Sequence, residues 1–272
     1  YGKTVWQSSY AGRIYTIIPK SQVVVSGGNS GDIKVVTDKI AEGLINLHPA
    51  LQKKTIKKDW KLEILAGFKT PDGEISQQSS LSQILMRNYQ DGNDSMAANG
   101  TRPDFHIIDE IGKIKNFLKC VKDSDGCWWA NEQADENGVI RPSCLPMFTG
   151  TGGDMEVGAD SAEMFFDPIN NNLLAFDDVW EGRGKIGWFV PATRARHEYK
   201  EPKPLSEYLG ISHPDLDKIT ILVSNEEKCL KEWWEPRYKK ALNSGNANSL
   251  LSFKAYWPIK PSDCFLVLTH ND

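Results

Sequence analysis

The sequence predicts an α/β fold in which helices flank a mostly parallel central sheet. Three stretches support this prediction. An apolar run at residues 105–110 ends in two acids, and a helical stretch after Gly2-Lys3-Thr4 precedes a Val-rich strand at residues 22–26. Another short apolar stretch ends in Thr149-Gly150-Thr151. Short buried strands that alternate with helices are typical of parallel sheets.

The chain opens with Gly2-Lys3-Thr4, which matches the end of the phosphate-binding loop GxxxxGK[ST]. In such a loop the Lys reaches the β- and γ-phosphates, the Thr hydroxyl binds Mg²⁺, and the next helix points its N-terminal amides at the anion. Gly2, Lys3 and Thr4 are therefore candidate nucleotide-binding residues, and Thr4 is also a candidate metal ligand. The first glycine of the pattern would precede residue 1, so we expect a fragment that begins within a domain.

The acidic strand predicts the catalytic end of the site. Its run of Phe, His and two Ile is short and follows the breaker Gly100-Thr101-Arg102-Pro103, which favours a buried strand over a helix. Because a buried strand excludes acids, Asp109 and Glu110 should lie at its carboxyl end, where open α/β sheets bind ligands. Asp109 is a candidate ligand of the Mg²⁺ that accompanies a nucleotide, and Glu110 is a candidate for polarising an attacking water.

A second polar strand end is expected at Thr149, Gly150 and Thr151. A strand that ends in small hydroxylated residues suits a polar sensor beside the γ-phosphate. A flexible Gly/Thr turn is the alternative interpretation. Together with the loop and the acid pair, this stretch favours a nucleotide hydrolase.

Composition limits the remaining classes. The chain has 272 residues, 25% of them charged, and a net charge of −4, so it is not a basic nucleic-acid coat as a whole. No apolar run approaches the roughly 18 residues of a membrane span, and we expect no membrane association. Five cysteines without CxxC pairing favour reduced thiols, and the histidines do not fall at zinc-ligand spacing near them.

The pattern predicts further elements and two surface features. Lys53, Lys54, Lys57 and Lys58 should form a solvated face, with DNA contact as the alternative. The glycine-rich residues 181–187 resemble a phosphate loop, but we predict a hairpin turn because no helix follows their lysine. Helices are predicted at residues 29–47, 111–122, 161–166 and 225–243, the last with a packed Trp pair, and strands at 62–65, 173–176 and 186–190.

The order of the motifs resembles that of the large terminase subunits of tailed bacteriophages. The resemblance comprises Gly2-Lys3-Thr4, residues 105–110, residues 149–154 and the tail Pro258-x-x-Pro261-x-x-x-Phe265. It implies a P-loop ATPase of the additional-strand, catalytic-glutamate type, which uses ATP and Mg²⁺ to pump double-stranded DNA into a procapsid.

The resemblance also implies a role for each matching residue. Lys3 would bind phosphates, Thr4 and Asp109 would hold Mg²⁺, and Glu110 would activate water. The stretch Thr149-Gly150-Thr151 would couple hydrolysis to DNA movement. Members of the family often take a catalytic arginine from a neighbouring subunit, and Arg102 is our candidate. Three further candidates for that arginine are Arg87, Arg194 and Arg196.

The partners and domains implied by the resemblance follow the same family. The partners would be double-stranded DNA, the portal protein, the small terminase subunit and further copies in a ring on the procapsid. The place of action would be the host cytoplasm, transiently at the procapsid portal. Residues 1–210 would form an N-terminally truncated ATPase core, and residues 211–272 a lid subdomain and a linker toward a nuclease domain absent from this chain. A helicase-like DNA-translocating ATPase and a non-catalytic scaffold that binds portal or DNA remain as alternatives.

Overall fold

The computed structural model describes residues 3–59, 63–67, 69–76, 79–129, 133–134, 136–138, 140–150 and 153–266. Contacts between Cα atoms divide the chain into two compact units. One contains residues 2–151 and 157–161, and the other contains residues 152–156 and 162–272 together with residue 1. The domain boundary expected at residue 210 stays a prediction.

The helices and strands of the first unit, as far as its residues are described, are numbered here in chain order. The helices are α1 (Lys3–Ile17), α2 (Ser30–Ile45) and α3 (Phe117–Trp128). The strands are β1 (Gln22–Gly27), β2 (Thr55–Asp59), β3 (Glu63–Ala66), β4 (Gln83–Asn88), β5 (Phe105–Asp109), β6 (Gln133–Ala134), β7 (Ile140–Arg141) and β8 (Leu145–Phe148).

Six of these strands form one sheet in the order β2-β3-β4-β1-β5-β8. β4, β1, β5 and β8 run parallel, whereas β2 and β3 are antiparallel at one edge. The register pairs Gly27 with both Asn88 and Asp109, so these strands end together. The predicted mostly parallel central sheet is confirmed. Asp109 is the last residue of β5, so the acid pair lies at the carboxyl edge of this sheet.

Helices cover both faces of the sheet. On one face, Val23 and Val25 pack into a core with α1 and α2, to which α2 contributes the buried Ile33, Val36 and Ile40. The spacing of these three residues is the helical periodicity read from the sequence. On the opposite face, Trp128 of α3 donates a hydrogen bond from Nε1 to Nδ1 of His106 at 3.0 Å. The sheet is thus flanked by helices, as predicted.

The second unit begins at residue 152, and residues 157–161 within α4 belong to the first unit. Its helices are α4 (Met155–Phe166), α5 (Ala192–Ala195), α6 (Leu205–Leu209), α7 (Pro214–Asp217), α8 (Glu226–Cys229), α9 (Glu235–Leu242) and α10 (Ala247–Tyr256). Its strands are β9 (Gly153–Asp154), β10 (Phe176–Asp177), β11 (Lys185–Ile186), β12 (Lys200–Pro204), β13 (Thr220–Ser224) and β14 (Phe265–Leu266).

Two predictions for the second unit are confirmed. Trp233 and Trp234 are buried in the π-helical turn between α8 and α9, and Trp234 Nε1 donates to the carbonyl of Trp257 at 2.8 Å. The glycine-rich residues 181–187 include β11 and the end of the turn that joins it to the antiparallel β10. There the Asp178 carboxylate accepts hydrogen bonds from the backbone amides of Trp180, Glu181 and Arg183. The stretch that resembles a phosphate loop is therefore part of a hairpin, as predicted.

Other element predictions are wrong in part. The helix expected at residues 111–122 is a 3₁₀ turn at Ile111–Lys113, and α3 begins only at Phe117. Each of the strands expected at residues 173–176 and 186–190 is reduced to a two-residue strand, and the helix expected at residues 161–166 begins earlier, at Met155.

Lys53 also departs from the predicted solvated face. Its Nζ atom donates to the carbonyl of Tyr15 at 2.5 Å and to Ser82 Oγ at 2.9 Å. The lysine therefore links α1 to the residues before β4.

In the part of the chain that the structure describes, no helix is long and apolar enough to cross a membrane.

Candidate active site

The acid pair lies where β5 ends and the chain turns. Asp109 is the last residue of β5 and is only 2% exposed. Glu110 follows with φ 53°, in the left-handed region that residues other than glycine seldom adopt. Such strain persists only where the surrounding structure enforces it, and it is concentrated at functional sites. The two carboxylates are thus held side by side at the carboxyl edge of the sheet.

Lys3 contacts both acids. Its Nζ atom is 3.0 Å from Asp109 Oδ1 and 2.5 Å from Glu110 Oε1. Because Lys3 lies in the first turn of α1, the ammonium group and the N-terminal end of a 15-residue helix meet at the acid pair. Two carboxylates and one lysine leave a single net negative charge, before the other neighbours are counted.

Thr149 closes the site from the end of β8. Its Oγ1 atom is 2.6 Å from Asp109 Oδ1 and 3.0 Å from Gln7 Oε1. Its amide donates to the carbonyl of Ile108, and its own carbonyl accepts from the amide of Ile111. These two backbone hydrogen bonds span the Asp109–Glu110 pair, so Thr149 fixes the chain on both sides of the acids.

A second lysine contacts Glu110 from the turn that follows it. Lys113 Nζ is 3.7 Å from Glu110 Oε2 and 3.2 Å from Asp32 Oδ1 in the first turn of α2. Partial burial lowers the pKa of Lys113, but the two carboxylates outweigh it and the net shift is upward. Lys113 therefore stays charged and joins the acid pair to α2.

The position of Gly150 explains why a residue without a side chain follows Thr149. A Cβ atom built on Gly150 would lie 3.3 Å from the backbone nitrogen of Ile111. Such a contact is closer than ordinary van der Waals packing. The turn that carries Glu110 therefore lies directly against the backbone at Gly150.

The structure brings together Lys3, Asp109, Glu110 and Thr149 of the residues predicted for the site. Thr4 lies in the first turn of α1, half-buried. Gly2 and Thr151 lie outside the described residues.

Arg102 lies apart from this group. It is exposed and precedes β5 at the amino end, whereas the acids lie at the carboxyl end. The structure therefore does not place it with the acids of its own chain.

The sequence analysis missed three polar residues: Gln7, Asp32 and Lys113. A signal existed for Gln7, which is polar in a helix stripe that is otherwise apolar at Ala11 and Ile14. Asp32 and Lys113 pair only in the tertiary structure, so the local sequence pattern does not predict this ion pair.

The residues present fit a magnesium nucleotide. Among the described residues, no group of three or more His, Cys, Asp or Glu side chains could hold a metal ion alone. Mg²⁺ is typically bound through one or two carboxylates together with substrate phosphates and water, and it prefers oxygen ligands. Asp109 and the hydroxyl of Thr4 provide such oxygens, while Lys3 provides a cation for phosphate.

A buried polar network lies in the sheet behind the acids. Trp128 Nε1 donates to Nδ1 of His106, so the ring proton must be on Nε2, which is 2.8 Å from Ser26 Oγ. The burial of the imidazole lowers the pKa of His106 to about 3. His106 is therefore neutral and structural, and it ties β5 to β1 and α3.

Comparison with known proteins gives similar solved structures. No protein-family model matches the sequence, and no curated protein matches it significantly. A variant of the large terminase ATPase domain of Thermus phage P74-26 has a TM-score of 0.49 and 11% identity, with 95% of this chain and 84% of that one covered.

Two further matches are large terminases. That of a thermophilic bacteriophage has a TM-score of 0.42 and 13% identity, with 64% of this chain and 36% of that one covered. That of bacteriophage HK97 has a TM-score of 0.42 and 13% identity, with 88% and 42% covered. The chain thus spans less than half of either terminase.

Proposed function

We propose that this chain is the ATP-hydrolysing motor domain of a viral terminase large subunit, which translocates double-stranded DNA into a procapsid. The observation that carries the proposal is the contact of Lys3 with both Asp109 and Glu110 at the carboxyl end of β5. A lysine at the start of a helix beside an acid pair at a strand end is an arrangement that phosphoryl transfer uses. The order of the motifs supports the choice of family.

The binding step depends on an exchange of partners at Lys3. A nucleotide phosphate would compete with the two carboxylates for the ammonium group of Lys3. It would also accept hydrogen bonds from the backbone amides at the N-terminus of α1. Thr4 and Asp109 would hold Mg²⁺, with the Asp109 side chain kept in place by Thr149. The Mg²⁺ ion, when bound, supplies neutralisation of the charge that develops on the phosphoryl oxygens.

Glu110 would then orient the attacking water and accept its proton. In the structure its carboxylate forms an ion pair with Lys3 at 2.5 Å. When a phosphate takes over Lys3, Glu110 loses that ion pair and its carboxylate oxygen can accept a hydrogen bond from water. Binding of the substrate thereby prepares the base, so hydrolysis is tied to occupation of the site.

The motor activity would need a ring of subunits. Arg102 lies on the edge of the sheet opposite to the acids, so its proposed catalytic role is to reach the site of a neighbouring subunit. DNA contact would be made by surface Lys and Arg to phosphates, independent of sequence and weakened by salt. The further partners would be the portal protein and the small terminase subunit, in the host cytoplasm at the procapsid portal.

The test is the replacement Glu110→Gln in the full-length protein, with Glu42→Gln on the exposed side of α2 as the matched control. We expect turnover of ATP to fall by roughly 10²–10⁴-fold while the Kd for ATP stays within a few-fold, because a general base is lost and binding groups remain. Turnover and nucleotide binding are measured with and without double-stranded DNA.

Other outcomes identify the alternatives. Equal, background-level turnover in wild type and Glu110→Gln would contradict the enzymatic proposal and favour a scaffold. Stimulation by single-stranded DNA alone would favour a helicase-like translocating ATPase.

A further inference from the structure

Gln7 is a side chain of α1 that contacts the end of β8 without a role in the proposed mechanism. It is fully buried, and it lies one helical turn after Lys3 on the same face of α1. Its Oε1 atom is 3.0 Å from Thr149 Oγ1. Its Nε2 atom is buried and has no hydrogen-bond partner. A buried amide with an unused donor requires an explanation, since such a group costs free energy.

A count of protons shows which way the amide must face. Thr149 has one hydroxyl proton, and its Oγ1 atom lies 2.6 Å from Asp109 Oδ1. An ionised carboxylate can only accept, so that proton is committed to Asp109. The contact with Gln7 then needs a donor from Gln7, which is its NH₂ group. Because amide oxygen and nitrogen are interchangeable by a half-turn, the NH₂ group faces Thr149 and the carbonyl takes the other position.

With this assignment, one chain of hydrogen bonds begins and ends on α1. Gln7 donates to Thr149, Thr149 donates to Asp109, and Asp109 accepts from Lys3. The backbone of Thr149 is also bonded to Ile108 and Ile111 on either side of the acids. A displacement of α1 at Lys3 is therefore transmitted to Thr149 by two routes, through Asp109 and through Gln7.

We propose that Gln7 is a positioning residue, which aims the hydroxyl of Thr149 at Asp109 and links movement of α1 to Thr149 at the end of β8. Its effect on catalysis rests on the proposed function. Gln7 touches neither phosphate nor water in this scheme. Its loss leaves the nucleotide-binding groups in place and acts on the Asp109–Glu110 turn, where turnover is decided.

The kinetic test is a double-mutant cycle with Gln7→Met, which keeps the length but neither donates nor accepts, and Thr149→Val, which keeps the shape. For each single variant we expect kcat to fall about 5- to 10-fold. The Kd for MgATP should change less than about threefold in Gln7→Met, because the Thr149 hydroxyl remains, and should rise in Thr149→Val, which removes the hydrogen bond to Asp109. The double variant should be no slower than the slower single variant, because both break the same chain. Multiplying effects in the double variant, or a loss confined to nucleotide affinity, would overturn the proposal.

A second measurement does not depend on turnover. The side-chain NH₂ resonances of Gln7, assigned by their loss in Gln7→Met, report whether the amide donates to Thr149. They should move upfield in Thr149→Val and stay in place in Thr149→Ser, which keeps the hydroxyl. Resonances that are unchanged in both variants would overturn the assignment. The expected shifts in a protein without ATPase activity would contradict the proposed function while leaving the Gln7 contact established.

Discussion

The role of His106 is evident only from the folded structure. In the sequence it interrupts an apolar strand, and in the structure it is fully buried with a hydrogen bond at each ring nitrogen. Both bonds fit only the neutral ring, because a second proton on Nδ1 would meet the Trp128 donor. Burial therefore lowers the pKa of His106 from 6.5 to about 3.

The consequence is a pH-dependent stability. The unfolded chain binds a proton below pH 6.5, whereas the folded protein does so only near pH 3, so stability is present above pH 6.5 and is lost as the pH falls toward 3. We expect the wild type to lose about 1.4 kcal/mol per pH unit in this window relative to His106→Gln. Denaturant unfolding at pH 7 and pH 5 measures the difference. In Ser26→Ala, which keeps the imidazole, the free energy of unfolding should depend on pH as in the wild type. If it depends on pH in the same way in His106→Gln, His106 is not the source of the pH dependence.

The residues of the site divide into those that local pattern reveals and those that it does not. The position of Asp109 and Glu110 at a strand end was predictable because charge cannot lie inside a buried strand, and Lys3 was a candidate because it belongs to a short motif. The structure brings these three together. Asp32 and Lys113 were not predictable, since their pairing joins α2 to the turn after β5 across a distance in sequence that no local rule spans.

The turn after β5 is the element that most constrains the site. A Cβ atom on Gly150 would come within 3.3 Å of the Ile111 nitrogen, so Gly150→Ala must displace the turn that carries Glu110. We expect a loss of about 1 kcal/mol in the free energy of unfolding, with a larger proportional loss of ATP turnover. Gly43→Ala is the control, because nothing lies within 4 Å of its Cβ position in α2.

The control variant Gly43→Ala should raise the free energy of unfolding, whereas Gly150→Ala should lower it. Alanine in a helix interior is favoured over glycine by about 0.5–1 kcal/mol, so Gly43→Ala should stabilise the protein slightly and leave turnover unchanged. Thermal unfolding and ATPase assays on both variants decide the matter. Equal effects of the two substitutions on turnover would contradict the contact between Gly150 and the turn.

The first turn of α2 depends on its cap. The Asn29 side chain accepts hydrogen bonds from the amides of Gly31 and Asp32, at 2.9 Å and 3.1 Å. Asn29→Ala should cost about 1 kcal/mol of unfolding free energy, whereas Asn29→Ser, which keeps an acceptor, should cost only a fraction of that. Denaturant unfolding compares the two variants; equal losses in both would show that the cap does not stabilise α2.

Elements were predictable where the hydrophobic pattern was long and uninterrupted. α2 was predicted because Ile33, Val36 and Ile40 repeat at helical spacing. The helix predicted at residues 111–122 failed at its start. Glu110 and Asn116 both take positive φ angles, which break the helix but cannot be seen in a pattern of apolar residues.

At the scale of the whole molecule, the five cysteines test whether both units are closed around their cores. All five are free and buried, with Cys120, Cys127 and Cys144 in the first unit and Cys229 and Cys264 in the second. Burial raises the pKa of Cys120 to about 11 and that of Cys264 to about 12, so little thiolate is present near neutral pH. Shielding from solvent and a high pKa both oppose reaction, since the thiolate is the nucleophile.

We therefore expect the native protein to react slowly with a thiol reagent such as DTNB at pH 8, and the denatured protein to release one equivalent for each of its five thiols at once. Addition of a reductant should not change the melting temperature, because the cysteines form no disulfide. Mass spectrometry of partly labelled protein assigns any early reaction. A thiol that reacts at the denatured rate in the native protein would show that its unit opens without global unfolding, since all five are buried in the folded structure.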